Sequence, residues 1–121
     1  MSVPVPIDRE KLLARCLDDV EFTRQMLQIF QDQSPATLTR LCESVNAGAW
    51  EDAKRHAHTL KGTAGNLSAA ALQAAAARVE KLVEAGQSAD LDAAVLDLTN
   101  QFNLCLQSAI AISASMKYQK R

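Results

Sequence analysis

The stretch His56-Ala57-His58-Thr59-Leu60-Lys61-Gly62-Thr63-Ala64-Gly65-Asn66-Leu67 decides the fold of this 121-residue chain. Together with the preceding turn, it places apolar residues at steps of three and four, which is the spacing of a helix with one buried side. We call these residues the core stripe: Ala53, Ala57, Leu60, Ala64 and Leu67. At about 100° per residue, His58 lies about 150° from the centre of the core stripe, so its imidazole is predicted to face solvent.

Two glycines follow His58 within the same predicted helix. Gly62 lies one turn after the histidine, and Gly65 lies one turn further along the chain. A glycine inside a helix costs about 0.5–1 kcal/mol relative to alanine, and this chain uses alanine freely elsewhere. We therefore predict that a partner approaches closely beside His58, where side chains at these two positions would obstruct it.

Cationic residues surround His58 in the sequence. Lys54 and Arg55 precede it by four and three residues, and Lys61 follows it by three. A solvated helix face is the simpler interpretation of Lys54 and Arg55; the alternative is a rim that attracts an acidic partner and raises its association rate. His56 is predicted to pack near the core, because its ring diverges from that of His58 by about 200°, and the two cannot share a metal ion.

The run from His58 to Leu67 resembles the signature of the histidine-containing phosphotransfer (HPt) domain of multistep phosphorelays. The resemblance covers the motif His-x-Leu-Lys-Gly-Thr-Ala-Gly-Asn-Leu, and the flanking helical pattern agrees over roughly residues 8 to 115. It implies that His58 accepts and donates a phosphoryl group and that Lys61 lies beside the phosphate. It also implies that Gly62 and Gly65 leave room for the partner.

The resemblance adds one residue on the following helix and shows one departure. In this family a polar residue near the position of Glu80 often hydrogen-bonds the second imidazole nitrogen, so Glu80 is expected to fix the tautomer of the ring. Ser68 stands where the motif often has glycine. The chemistry is consistent, since neutral imidazole is nucleophilic near pH 7 and the Lys61 ammonium can stabilise phosphoryl oxygens.

Composition and charge exclude several classes of protein. A net charge of −1 gives no overall attraction to nucleic acid or to an anionic membrane. The three cysteines, Cys16, Cys42 and Cys105, form no Cys-x-x-Cys pair and are interpreted as reduced core thiols. No apolar run approaches the roughly 18 residues that a membrane span needs, and the N-terminus lacks the features of a signal peptide. A cytoplasmic location is therefore expected.

Nucleotide- and metal-binding motifs are missing from the sequence. There is no glycine-rich nucleotide loop and no acidic cluster spaced for Mg²⁺. We therefore expect no ATP-dependent kinase activity and no resident cofactor, with Mg²⁺ supplied by a partner receiver domain.

Helical periods divide the chain into one short and four long helices. The predicted ranges are Ile7 to Cys16 with Asp8 as N-cap, Asp18 or Asp19 to Gly48, Trp50 to about Leu67, Ala69 to Ala85 between a Ser68 cap and a Gly86 stop, and Ser88 or Asp90 to about Ile112. Pro35 either kinks the second helix or begins a new one that Ser34 caps, and the continuing apolar period favours one helix. The apolar side of that helix is predicted to contain Val20, Phe22, Met26, Leu27, Ile29 and Phe30.

Short connections favour an all-α fold, an antiparallel up-down-up-down four-helix bundle with a short extra N-terminal helix. The predicted organisation is an extended leader at 1–6, an HPt-like bundle at 7–116 and a basic tail at 117–121. A monomer is expected because no second apolar stripe should remain once the bundle has formed. Met1 and the short leader favour a free-standing chain.

Two functions follow as hypotheses. The first is a phosphocarrier that accepts a phosphoryl group on His58 from a receiver-domain aspartate and passes it to a response-regulator receiver. Its partners would be receiver domains of response regulators and of a hybrid histidine kinase, not nucleic acid or membrane. The alternative is a non-catalytic helical adaptor that binds receiver domains, which the joint presence of His58, Lys61 and Gly62 disfavours. A metal- or haem-binding bundle lacks a second ligand facing His58.

Overall fold

The structure, a computed structural model, describes residues 5–86 and 89–117. Within these ranges the chain forms five α-helices and no strand. The helices are α1 (Arg9–Arg15), α2 (Val20–Asn46), α3 (Trp50–Asn66), α4 (Ala70–Glu84) and α5 (Leu91–Met116). The predicted all-α fold class is confirmed, and each predicted helix is present.

The four long helices form a bundle. α3 packs against α2 and α4, and α5 packs against the same two helices from the other side. The short helix α1 contacts α2, as expected for an extra N-terminal element. This arrangement gives each long helix two neighbours and leaves one face of each helix toward solvent.

The helix ends follow the predicted signals. Asp8 and Asp19 are the N-caps of α1 and α2, and each side chain accepts a hydrogen bond from the backbone N–H three residues later, at 3.0 and 2.9 Å. Gly48 and Gly86 follow α2 and α4 with φ of +70° and +68°, the left-handed conformation that ends a helix. Asp90 precedes α5 without a side-chain cap bond, and the alternative start, Ser88, lies outside the described residues.

α2 continues through Pro35 as one helix of 27 residues. Ser34, the alternative N-cap of a separate helix, is buried within α2 at 6% exposure. The prediction of one helix rather than two is therefore confirmed, and the kink at Pro35 stays a prediction.

The core stripe of α3 is buried as predicted. Its members are between 0% and 2% exposed. They face a core in which the rings of Phe30 and Phe102 lie 5.3 Å apart, centroid to centroid, and join α2 to α5. Small residues in the stripe let α3 approach its neighbours closely, and this packing fixes which side of α3 faces solvent.

Two predictions about local structure are wrong. Phe22 and Ile29 belong to the predicted apolar side of α2 but are 46% and 48% exposed, because α2 buries only the side that carries residues such as Leu27 and Phe30. Ser68 does not cap α4 with its side chain. It has a φ of +57° and links α3 to α4, while Ala69 is the N-cap without a side-chain hydrogen bond.

The outer face of α5 is also more apolar than expected. Leu96, Leu104 and Ile110 are 62%, 48% and 51% exposed. These side chains are eight and six residues apart and do not form a stripe of three- and four-residue steps. The expectation that no second apolar stripe remains, and the monomer that it supported, stay predictions.

The cysteines are free thiols. Cys16 and Cys105 are buried, and Cys42 is half-buried. Burial raises the pKa of the Cys105 thiol to about 12, so this side chain is inert at neutral pH.

The predicted ends of the domain lie partly outside the residues that the structure describes. Of the predicted leader at 1–6 and tail at 117–121, residues 1–4 and 118–121 lie outside the described residues. In the described part of the chain, none of the helices has the length and apolar character needed to cross a bilayer.

Candidate functional site

His58 stands on the outer face of α3. Its side chain is 67% exposed, because burial of the core stripe turns this side of the helix toward solvent. A Cβ atom at Gly62, one turn further along, would meet no heavy atom within 4 Å apart from its own helix backbone and chain neighbours. The imidazole therefore stands on a surface that is open on its C-terminal side.

Glu80 of α4 contacts the imidazole. Nδ1 of His58 lies 2.9 Å from Oε2 of Glu80, a hydrogen-bond distance. An ionised carboxylate can only accept a hydrogen bond, so Nδ1 carries the proton and its N–H donates the hydrogen bond to Oε2 of Glu80. In the neutral ring, Nε2 is then the unprotonated nitrogen, and its lone pair lies away from Glu80.

Lys61 contacts the other oxygen of the same carboxylate. Its Nζ donates to Oε1 of Glu80 at 2.6 Å, and Glu80 therefore bridges two side chains of α3. We call His58, Glu80 and Lys61 the bridged triad. The hydrogen bond from Lys61 is the main reason that the pKa of Glu80 is lowered from its ordinary value, and the bond from His58 adds to this against the opposing effect of burial.

Glu80 is better shielded than the sequence indicated. The sequence groups Glu80 with the other charged residues of this helix, Arg78, Lys81 and Glu84, which favours an exposed position. Its side chain is nevertheless only 13% exposed where α4 meets α3. The shielding matters because hydrogen bonds to a partly buried carboxylate are less weakened by water than those on an open surface.

The two cations that precede His58 are paired within the chain. Lys54 Nζ lies 3.0 Å from Oε1 of Glu84, and Arg55 Nη2 lies 3.0 Å from Oδ1 of Asp52. The hydrogen bond to Glu84 raises the pKa of Lys54. Each cation thus has an anionic neighbour already, which reduces the positive charge that this predicted rim presents to a partner.

Gly65 differs from Gly62 in its surroundings. A Cβ atom at Gly65 would lie 2.8 Å from Nε2 of Gln73 on α4. A Cβ atom at Gly65 would therefore be obstructed by a side chain of the same molecule, whereas one at Gly62 would meet open space.

His56 and a metal-binding cluster are not part of the site. His56 is half-buried on the flank of α3, as its position in the sequence indicated. Within residues 5–86 and 89–117, no three His, Cys, Asp or Glu side chains come together in a group that could hold a metal ion. The absence of a resident cofactor remains a prediction.

Two cavities flank the outer face of α3. One, of about 380 Å³, opens beside His58 and is bordered by Lys54, Arg55 and Glu80. The other, of about 160 Å³, lies between α2 and α3, where Met26 and Ile29 meet Thr63 and Asn66.

The sequence did not lead us to predict that the apolar side chains bordering this second cavity lie at the surface. The signal that could have found them is the width of the apolar side of α2. A second apolar column, formed by Phe22, Met26 and Ile29 at steps of four and three, lies beside the column that contains Leu27 and Phe30. The two columns together are wider than the helix surface that one neighbouring helix covers.

Comparisons with known proteins agree with this fold. A family model described as "Hpt domain" matches residues 25–112. The crystal structure of histidine-containing phosphotransfer protein B (HptB) from Pseudomonas aeruginosa PAO1 is similar, with a TM-score of 0.82 and 19% sequence identity over 98% of this chain and 100% of that chain. At this identity the likeness shows the fold. No curated protein matches this chain in sequence.

Proposed function

The chain belongs to the Hpt domain family, and on that premise we propose that it is a phosphocarrier that receives a phosphoryl group on His58 and passes it on. The donor is a receiver-domain aspartyl phosphate, and the acceptor is the aspartate of a response-regulator receiver. The observation that supports this most strongly is the exposed imidazole whose Nδ1 proton is held by an ionised Glu80.

The transfer step follows from this geometry. The lone pair of His58 Nε2 attacks phosphorus, an N–P bond forms, and the bond between phosphorus and the aspartyl oxygen breaks. The aspartate leaves as a carboxylate with the bonding electron pair. The proton on Nδ1 stays in place, so the ring becomes a phosphorylated imidazolium whose positive charge faces the Glu80 carboxylate, 2.9 Å away in the free chain. Transfer to the next aspartate reverses these steps.

Lys61 has two uses in this scheme. Its ammonium keeps Glu80 ionised and oriented, and it has three N–H donors, of which Glu80 takes one. A remaining donor can reach a phosphoryl oxygen on the same side of α3 and stabilise its charge.

The partner is proposed to dock over the outer face of α3 and the neighbouring side of α2. Phe22 and Ile29 are exposed there, and Met26 and Ile29 border the cavity that α2 shares with Thr63. Exposed apolar side chains beside a reactive residue favour contact with a protein surface. Gly62 lies on the same outer face and allows close approach.

The chain supplies the nucleophile and its orientation, and the partner supplies the rest. We propose that it has no ATP-dependent kinase activity of its own and that Mg²⁺ and the aspartate belong to the receiver domain. This division suits the small, open site, which offers one nucleophile and one bridging carboxylate.

Phosphotransfer tests this proposal directly. A panel of phosphorylated receiver domains is mixed with the wild-type chain and with a His58→Gln variant of the same thermal stability, and the label on the chain is measured. Label on the wild type that is labile in acid and stable in alkali, with none on the variant, supports the phosphocarrier. Binding of a receiver without label on the wild type would support the non-catalytic adaptor instead.

A further inference from the structure

The cations of the chain divide into paired and unpaired groups. Lys54, Arg55 and Lys61 each lie within 3.0 Å of a carboxylate oxygen. Lys11 and Arg15 of α1 have no carboxylate within ion-pair distance among the residues that the structure describes. In this described part of the chain, unpaired cations thus lie on α1 and, as Arg78 and Lys81, on α4, but not on the rim that precedes His58.

Lys11 and Arg15 line one groove. They are four residues apart on α1, a spacing that places both on the same side of the helix. Together with Gly65 and Gln73 they border a cavity of about 430 Å³. Asp8 also borders it, but its Oδ1 accepts a hydrogen bond from the backbone N–H of Lys11, and one carboxylate against two cations leaves the groove with a net positive charge.

The groove lies on the line of α3 that carries His58. Gly65 follows His58 by seven residues, which is about 700° of rotation, so it stands within about 20° of the same line and about 10 Å further along the helix. Gly62 lies between them, with open space beside it. A protein that covers His58 and Gly62 would therefore extend to the mouth of the groove.

We infer that Lys11 and Arg15 form an electrostatic contact for the acidic surface of the receiver domain that exchanges a phosphoryl group with His58. This inference rests on the proposed function. A partner that carries an aspartyl phosphate and the carboxylates of a Mg²⁺ site is negatively charged on the side that faces His58. The groove begins at Gly65, about 10 Å along α3 from His58, which is roughly one Debye length at physiological salt. Cations in the groove raise the association rate more than the rate of chemistry.

Matched charge variants test the inference. Lys11→Gln/Arg15→Gln is compared with Arg78→Gln/Lys81→Gln, which removes the same charge from exposed positions of α4 that line none of the cavities described above. Each pair includes one cation in the last turn of its helix. The probe is the phosphorylated receiver domain that labels the wild type fastest in the panel, and the initial transfer rate is measured against receiver concentration at 50 and 300 mM NaCl.

The expected result is a fall of about five-fold in the second-order rate constant at 50 mM NaCl for the α1 variant, little difference at 300 mM, and an unchanged rate at saturating receiver. The α4 variant should stay close to the wild type. Equal behaviour of the two variants, or a lower saturating rate with an unchanged concentration dependence, would overturn the inference. Failure of the proposed function is distinct, because the wild type itself would then take no label.

Discussion

The buried face of α3 consists of alanine and leucine side chains that are at most 2% exposed, whereas its outer face carries a histidine that is 67% exposed and a glycine beside open space. The two faces belong to one helix of 17 residues and differ by half a turn. The buried face is stabilised by packing in the core, whereas the histidine on the outer face is oriented by one carboxylate, that of Glu80 on α4.

This contrast indicates which substitutions should alter which property. Changes to the core stripe should lower the free energy of unfolding without changing the chemistry of the folded molecule. Changes on the outer face should alter phosphoryl transfer with little loss of stability, because exposed side chains contribute little to it. The predictions below test this separation.

Truncation in the core stripe should give the largest change in stability. Leu60 is 1% exposed, so Leu60→Ala should lower the free energy of unfolding by about 2–5 kcal/mol through lost burial and the cavity left behind. Urea unfolding measures this, and Thr59→Ala on the exposed side is the control, with a change of about 0.5 kcal/mol or less. Equal losses in the two variants would contradict the separation of the two faces.

Removal of the bridging Glu80 carboxylate should give the next largest effect, a slower phosphoryl transfer. Glu80→Ala should slow phosphoryl transfer about ten-fold or more, the size found for groups that orient metal-bound histidines, because the ring loses its acceptor at Nδ1. Glu84→Ala is the matched control, since Glu84 pairs with Lys54 and has no hydrogen bond to His58. Transfer to Glu80→Ala as fast as to the wild type would show that the bridged triad does not orient the ring.

A glycine in place of Ser68, at the junction between α3 and α4, should stabilise the fold. Ser68 has a φ of +57°, a conformation that costs a residue with a side chain about 1 kcal/mol or more. Ser68→Gly should therefore raise the free energy of unfolding by about 1 kcal/mol, as measured by urea or thermal unfolding. Ser68→Ala keeps the strain and should give no such gain; equal gains from both variants would point to another cause.

A methyl group added at Gly62, on the outer face of α3, should stabilise the fold but hinder docking of the partner. Gly62→Ala should raise the free energy of unfolding by about 0.5–1 kcal/mol, since a helical glycine is replaced where there is space for a Cβ atom. It should also slow transfer from a receiver domain but not from phosphoramidate, a small donor. Gly65→Ala, which requires Gln73 to move, should gain less stability. Unchanged transfer from receivers would contradict close approach at Gly62.

The acid dependence of unfolding should show the smallest effect. The pKa of Glu80 is lowered in the folded chain, so its contribution to stability is present above the ordinary carboxyl pKa of 4.5 and is lost as the pH falls through the lowered value. The stability difference between the wild type and Glu80→Gln should thus shrink as the pH falls below 4.5. A difference that grows in acid would contradict the ionised state of Glu80.

Much of the fold could be predicted from local sequence signals. Asp8 and Asp19 are N-caps and Gly48 and Gly86 are stops because these residue types satisfy or end a helix through short-range geometry. The exposed position of His58 followed from helical phase alone. The family resemblance, which the match to residues 25–112 confirms, came from a ten-residue motif.

What could not be predicted depends on contacts between helices. The pairing of Lys54 with Glu84 requires the register of α3 against α4, which one sequence does not contain. The exposure of Ile29 depends on which side of α2 the neighbouring helices cover. Ser68 has a residue type typical of an N-cap, but its backbone conformation is set by the turn between two packed helices.

The proposed transfer requires Glu80 to hold the Nδ1 proton of His58, so that Nε2 carries the phosphoryl group. Long-range ¹H–¹⁵N NMR of the imidazole, before and after phosphorylation by a receiver domain, tests this most directly. We predict a proton on Nδ1 in the free chain and phosphorus bonded to Nε2 in the product. A proton on Nε2 in the free chain, or phosphorus on Nδ1, would contradict it.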